Sequence, residues 1–202
     1  SYGVTVVIIG ILLSFFQQAV GINVVLYYAP RIFENLGASG DVSMRQTVVM
    51  GVVNIIFTLV AIFTVDKFGR KPLLVIGSIG MMVGMAALSV LSFMDVIGVA
   101  ALVFIIIYTA SFMMSWGPIT WVLISEIFPN TIRGQAVAIA VAAQWISNFV
   151  VSSTFPSLSE WSTGGAYLIY AVFSLLSAVF VLKMVPETKG KTLEDMSRLW
   201  RK

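Results

Sequence analysis

Three side-chain amides stand in one of the most apolar stretches of this 202-residue chain: Gln17, Gln18 and Asn23, in the run Gln17-Gln18-Ala19-Val20-Gly21-Ile22-Asn23. An unpartnered amide in hydrocarbon is costly, so a neighbouring helix or a polar ligand must offset it. Polar and indole side chains recur in other apolar stretches. Asn54 lies midway along one, Trp116 and Trp121 flank Gly117-Pro118 in another, and Gln144, Trp145 and Asn148 share a third. Gln144 and Asn148 are four apart, so they share a helix face. Taken singly, an Asn or Gln in such a stretch is most often interhelical glue worth about 0.6–2 kcal/mol. Gathered at similar depth on four helices, these residues suit a polar cavity. The chemistry of that cavity fits a neutral polyol. An amide both donates and accepts, so one Gln can hold two adjacent hydroxyls. An indole packs its face on apolar C–H surface and offers its N–H to a hydroxyl. Spacing alone treats Trp116 and Trp121 equally.

The elements that must position these groups are membrane helices. Hydrophobic residues make up 59% of the chain and charged residues 10%, where a soluble domain carries about 25% charged. Crossing about 30 Å of hydrocarbon takes roughly 20 helical residues. The sequence predicts six spans, at about 4–29, 43–65, 73–94, 98–124, 135–155 and 166–184. The expected fold class is therefore an all-α membrane protein, with no room for a soluble domain. The first span lacks a basic leader and a clear cleavage site, so it reads as a span rather than a signal peptide.

Charge distribution sets the expected orientation. With the chain ends and the loops 66–72, 125–134 and 185–202 on one side, ten of the basic residues gather there and only Arg31 and Arg45 lie opposite. That asymmetry puts both termini in the cytoplasm. The net charge of +3 thus reports topology and gives no reason to expect nucleic acid. The chain has no cysteine and no histidine, which excludes thiolate or imidazole metal sites and histidine-based triads. No Asp, Glu, Lys or Arg lies deep in any span. Membrane-embedded catalysis needs a nucleophile with a base, or a carboxylate pair, facing a cavity. Proton relays need deep ionisable groups. We therefore expect no enzyme, no catalytic residue, no metal and no cofactor.

The six spans read as two groups of three. The first span of each group is interrupted, at Gly21 and at Gly117-Pro118. Proline removes an intrahelical bond and glycine loosens a helix. Packing kinks are common in membrane helices, but breaks at matching places in two repeats point to a transporter binding site. On the cytoplasmic side the loops are patterned. Asp66-Lys67-Phe68-Gly69-Arg70-Lys71-Pro72 makes a tight turn with Gly69 as hinge and Pro72 starting the next helix. Ser125-Glu126-Ile127-Phe128-Pro129 leads to Arg133-Gly134, and the tail carries Pro186-Glu187-Thr188-Lys189-Gly190-Lys191. Short charged loops anchor topology in any case. Asp66, Arg70, Glu126, Arg133 and Glu187 could also form an ion-pair cluster that braces the cytoplasmic helix ends in one conformation and releases them in another. Surface pairs contribute only about 0–1 kcal/mol each, yet a network biasing two near-equal states needs little more.

Four of these segments, in order, resemble the sugar porters of the major facilitator superfamily. They are Gln17-Gln18-x-x-Gly21-Ile22-Asn23, Asp66-x-x-Gly69-Arg70-Lys71, Glu126-x-x-Pro129-x-x-x-Arg133-Gly134 and Pro186-Glu187-Thr188-Lys189-Gly190. The resemblance covers the whole chain but is to the C-terminal half of such a protein. It implies a six-transmembrane-helix bundle of two inverted three-helix repeats occupying residues 1–202, with a cytoplasmic tail at 185–202. It implies that Gln17, Gln18, Asn23, Asn54 and Gln144 hold sugar hydroxyls. Tyr27 would close the cavity from outside, Gly117 would mark the flexible break, Trp121 would lie against the ring, and Trp145 would line the same cavity. The resemblance thus selects Trp121 over Trp116.

The resemblance further implies a monosaccharide of the D-xylose or D-glucose class as substrate, and alternating access as mechanism. The partners expected are the lipid bilayer, in a bacterial inner membrane, and an N-terminal six-helix half, covalent or split. In proton symporters of this family the protonatable aspartate lies in that other half, so symport and uniport remain alternatives at this point. A chain beginning Ser1-Tyr2-Gly3, just before the family's seventh helix, is expected to be such a half; the alternative is a six-span protein that pairs with itself. A non-transporting sugar sensor is a further alternative, with the short tail against it.

Overall fold

The computed structural model describes residues 5–25, 40–94, 99–129 and 131–185. Tyr27 and Glu187 lie outside them. The described residues form helices and no strand: α1 (Thr5–Ala19), α2 (Gly40–Phe68), α3 (Arg70–Phe93), α4 (Val99–Met113), α5 (Trp116–Ile127), α6 (Arg133–Trp161) and α7 (Thr163–Met184). By length and composition, six helical stretches among them can cross a membrane. The first is α1 continued to Val25, and the fourth joins α4 to α5.

Both interruptions have local causes. Gly21 adopts φ +94, a left-handed conformation that glycine enters without a Cβ penalty. The chain tightens there, with the Gly21 N–H donating to the Gln18 carbonyl at 3.0 Å, and one further helical turn follows at 22–25. The second interruption falls at Met114–Ser115, ahead of the expected Gly117-Pro118. Proline carries no N–H, and its ring crowds the carbonyl four residues earlier. For Pro118 that residue is Met114. The helix therefore breaks one turn before the proline, leaving Pro118 in the first turn of α5 where its missing donor matters least. Pro156 behaves differently, since α6 runs straight through it and extends past the expected end of that span. Other helices in a membrane bundle can satisfy a carbonyl freed in this way.

The packing pattern relates the two groups of three. The third helices of each group, α3 and α7, make the most extensive contact in the molecule. The first helix of each group crosses onto the second of the other: α1 packs on α6, and α4 with α5 packs on α2. Glycines permit the closest approach. A Cβ at Gly77 would stand 1.8 Å from the Ser115 Oγ, so α3 meets the second interruption only because position 77 has no side chain. Small residues at such crossings are how membrane helices gain packing contact when lipid offers no hydrophobic drive.

Burial is uneven. About half of the apolar window of α3 and of α7 is buried, against 11% for α2 and for α6. α2 leaves Val52, Ile55, Ile56 and Phe63 uncovered, and α6 leaves Trp145 and Phe149 uncovered.

Candidate functional site

The α1 interruption places Gln17 and Gln18 on opposite duties. Gln17 is buried, and its Nε2 donates to the backbone carbonyls of Trp116 at 2.9 Å and Gly117 at 3.1 Å. These carbonyls lie at the start of α5, just after the second interruption. The Gln17 Oε1 accepts from the Gln144 Nε2 on α6 and, at 3.4 Å, from the Gln18 Nε2. A primary amide has two N–H donors and one acceptor oxygen, so protein groups occupy every position Gln17 offers. Gln18 in turn accepts from the Asn23 Nδ2, across the break.

Beside this amide chain lies a cavity of about 270 Å³ lined by Gln18, Asn23, Trp121, Gln144, Trp145 and Asn148. It is close to the lower end of the size range for small-ligand pockets, about 300–1,000 Å³. Its polar groups are four amides and its apolar walls are two indoles, with no carboxylate, ammonium or guanidinium. The Asn148 Oδ1 accepts from the Ser152 Oγ at 3.0 Å, which leaves the Asn148 N–H pair for the cavity. The Gln144 Oε1 is buried without a hydrogen-bond partner.

Of the residues expected to gather here, Gln18, Asn23, Trp121, Gln144 and Trp145 do so, and Gln17 stands behind them. Gly117 contributes its carbonyl to Gln17 rather than a wall. Asn54 on α2 does not line this cavity; its Oδ1 is buried without a hydrogen-bond partner. Asn148 joins the lining, one turn beyond Gln144 on the same face. The two tryptophans flanking the second interruption separate clearly. Trp116 is fully buried and its Nε1 donates to the Ser78 Oγ at 2.7 Å. Ser78 is in turn 2.9 Å from the Ser177 Oγ, which ties α5 to α3 and α7. Trp121 is 44% exposed and faces the cavity. No signal in the chain order marks the serine pair, because its members lie on helices far apart in sequence.

Among the described residues, the expected ion-pair cluster forms in part. Arg70 grips Glu126 in a two-pronged contact, Nη2 to Oε1 at 2.7 Å and Nε to Oε2 at 3.1 Å. Its Nη2 also lies 3.1 Å from the Asp66 Oδ1. The left-handed Gly69, φ +92, makes the turn that brings Arg70 back toward Asp66. Arg133 donates to the Phe128 carbonyl. The Phe128 ring is fully buried against α1, where a Cβ at Gly10 would stand 2.4 Å from its Cζ. The loop between α5 and α6 is thus seated on α1 by an aromatic ring and held by Arg133, while Arg70 holds the end of α5 through Glu126.

The family profile described as "Sugar (and other) transporter" matches residues 3–200. The chain belongs to this family. Among its curated relatives, the D-xylose-proton symporter of Escherichia coli (strain K12) is 54% identical over 206 residues, covering 98% of this chain and 42% of the relative. The glucose facilitated diffusion protein of Zymomonas mobilis is 46% identical over 208 residues, covering 100% and 44%. Among solved structures, the proton:xylose symporter XylE bound to 6-bromo-6-deoxy-D-glucose superposes with a TM-score of 0.92 at 54% identity, covering 99% of this chain and 44% of that one. The chain spans less than half the length of these sugar transporter relatives. It is an integral membrane protein of the major facilitator fold, and not an enzyme.

Proposed function

We propose that this chain is the sugar-binding half of an alternating-access carrier for a neutral monosaccharide of the D-xylose or D-glucose class. One observation carries the reading: a cavity at the two helix interruptions whose polar groups are all amides and whose walls are indoles. Amides serve a neutral polyol, and an uncharged lining gives no purchase to an ion. The similarity to a D-xylose-proton symporter and to a glucose facilitated diffusion protein supports the substrate class. A second six-helix half would cover the apolar faces of α2 and α6 and close the open side of the cavity, where Trp121 and Trp145 are partly exposed. Proton coupling, if the carrier is a symporter, resides in that half, because the described spans carry no deep carboxylate. A facilitative uniporter is the second reading, favoured by the similarity to the facilitated diffusion protein. Both termini lie in the cytoplasm of a bacterial inner membrane in this reading, as the basic residues dictate.

The test is counterflow of D-xylose and D-glucose in proteoliposomes, with this chain alone and with the chain joined to the N-terminal half of a family member. Stereoselective, saturable uptake only in the joined form supports the reading. Saturable uptake by the chain alone means six spans suffice, as a self-paired dimer. No sugar response in either form overturns the assignment.

A further inference from the structure

Three hydrogen bonds run between the interrupted segments, two in one direction and one in the other. From α1, the Gln17 amide donates to the carbonyls of Trp116 and Gly117, at 2.9 and 3.1 Å, beside the second interruption. From α4, the Tyr108 hydroxyl donates to the Val20 carbonyl at 2.6 Å, at the first interruption. Tyr108 is fully buried, so water offers the carbonyl no easy replacement. Its place depends on a close helix approach: a Cβ at Gly84 on α3 would stand 2.9 Å from the Tyr108 Cβ. Gly21 itself rests against the ring of Tyr170, 3.0 Å from where a Cβ would be.

We propose that Tyr108 is a positioning residue, and that Tyr108 and Gln17 lace the two interruptions into one mechanical unit. A break in a membrane helix is stable only if its freed backbone groups find partners. Here Tyr108, from the helix before the second break, caps the Val20 carbonyl at the first, and Gln17 ties the first turn of α5 onto α1, so neither break opens without loosening its counterpart. Val20 lies between Gln18 and Asn23, the two α1 amides of the cavity. Holding its carbonyl therefore fixes their spacing. That the ligand felt by this unit is a sugar rests on the function proposed above; the lacing does not.

Hydrogen–deuterium exchange of the purified chain in lipid nanodiscs tests this. Tyr108→Phe keeps the ring and removes the bond, and Gln17→Met keeps the length and removes the amide. Tyr108→Phe is expected to raise exchange by about tenfold at both residues 20–25 and residues 115–121, the loss of one buried bond, and Gln17→Met, which removes several, by at least as much at both. Ser89→Ala is the matched control. It deletes an equally buried bond, Ser89 Oγ to the Gly164 carbonyl at 2.7 Å, and is expected to lower the thermal midpoint while leaving both breaks within about twofold. Loosening at one break only, or uniform loosening as for any buried deletion, overturns the proposal. Should either variant misfold, the unsubstituted chain decides: laced breaks open with the same denaturant dependence, and separate ones do not. Added D-xylose is expected to slow exchange at both breaks together. Reciprocity without any D-xylose effect supports the lacing and counts against the sugar reading alone.

Discussion

Gln17 has no hydrogen-bonding position left over for a ligand, whereas its neighbour Gln18 lines the cavity. A sugar hydroxyl reaching Gln17 would have to displace Gln144 or Gln18 from its oxygen, or a backbone carbonyl from its nitrogen. The two residues are therefore expected to fail differently. Gln18→Ala should weaken sugar binding at least about fivefold, the loss of roughly 1 kcal/mol or more for a hydroxyl left unpaired, with little change in thermal stability. Isothermal titration on the joined carrier reads the first, and a melting curve reads the second; unchanged affinity would remove Gln18 from the site. The tryptophans divide in the same way. Trp121→Ala should lower sugar affinity and spare stability. Trp116→Phe should lower stability by about 1–3 kcal/mol, because the Ser78 hydroxyl loses its donor and the packed indole leaves a void. A melting midpoint that does not move in Trp116→Phe would refute the structural role.

At the scale of elements, the two broken helices carry the design. Gly21 is needed twice over, for its left-handed φ and for the face of Tyr170 it touches. Gly21→Ala is expected to cost about 1–2 kcal/mol from the backbone alone, with added strain where the ring must shift. Melting midpoints check the stability loss, and counterflow rates check an expected fall in turnover. The position of the first break was legible from the sequence, because Gly21 itself adopts the left-handed conformation. The second was legible only to within a turn: proline acts on the carbonyl four residues before it, so the visible Gly117-Pro118 marks a break that the backbone makes at Met114–Ser115. Helix α6 passes through Pro156 for the complementary reason, that a lone proline in a membrane bundle need not end a helix.

Over the whole molecule, the ends of α2, α3 and α5 meet at Arg70. Its contact with Glu126 is two-pronged, and the arginine side chain is 9% exposed, so it is stronger than an open surface pair. Arg70→Glu and Glu126→Lys are each expected to destabilise the structure by about 1–3 kcal/mol and to alter transport kinetics. The swap carrying both is expected to recover part of the loss, because opposite charges again face each other. Equal stability and kinetics in all three variants would show that the pair neither braces nor gates. The Phe128 ring seated on Gly10 belongs to the same closure. Gly10→Val should prevent that seating, seen as faster labelling of a cysteine introduced nearby by Ile132→Cys, with Phe128 kept, in this otherwise cysteine-free chain. Unchanged labelling would mean the ring is not held there.

The amino-acid sequence determined the class of this protein: membrane helices, six apolar segments, an uncharged inventory of amides and indoles within them, and charges confined to the loops and ends. These properties are local, carried by hydropathy over some twenty residues and by helical spacing within one element. The tertiary structure decided which of those residues share a cavity. Gln17 meets Trp116 across 99 positions, Gln144 meets Gln17 across 127, and Tyr108 meets Val20 across 88. Such pairings depend on which helix packs on which, and a helix's own periodicity says only that a face is polar, not what stands opposite. That is why Trp116 and Trp121 look alike in the chain and differ in the fold. It is also why Tyr108, one tyrosine in an apolar run, shows its role only where α4 meets the broken end of α1.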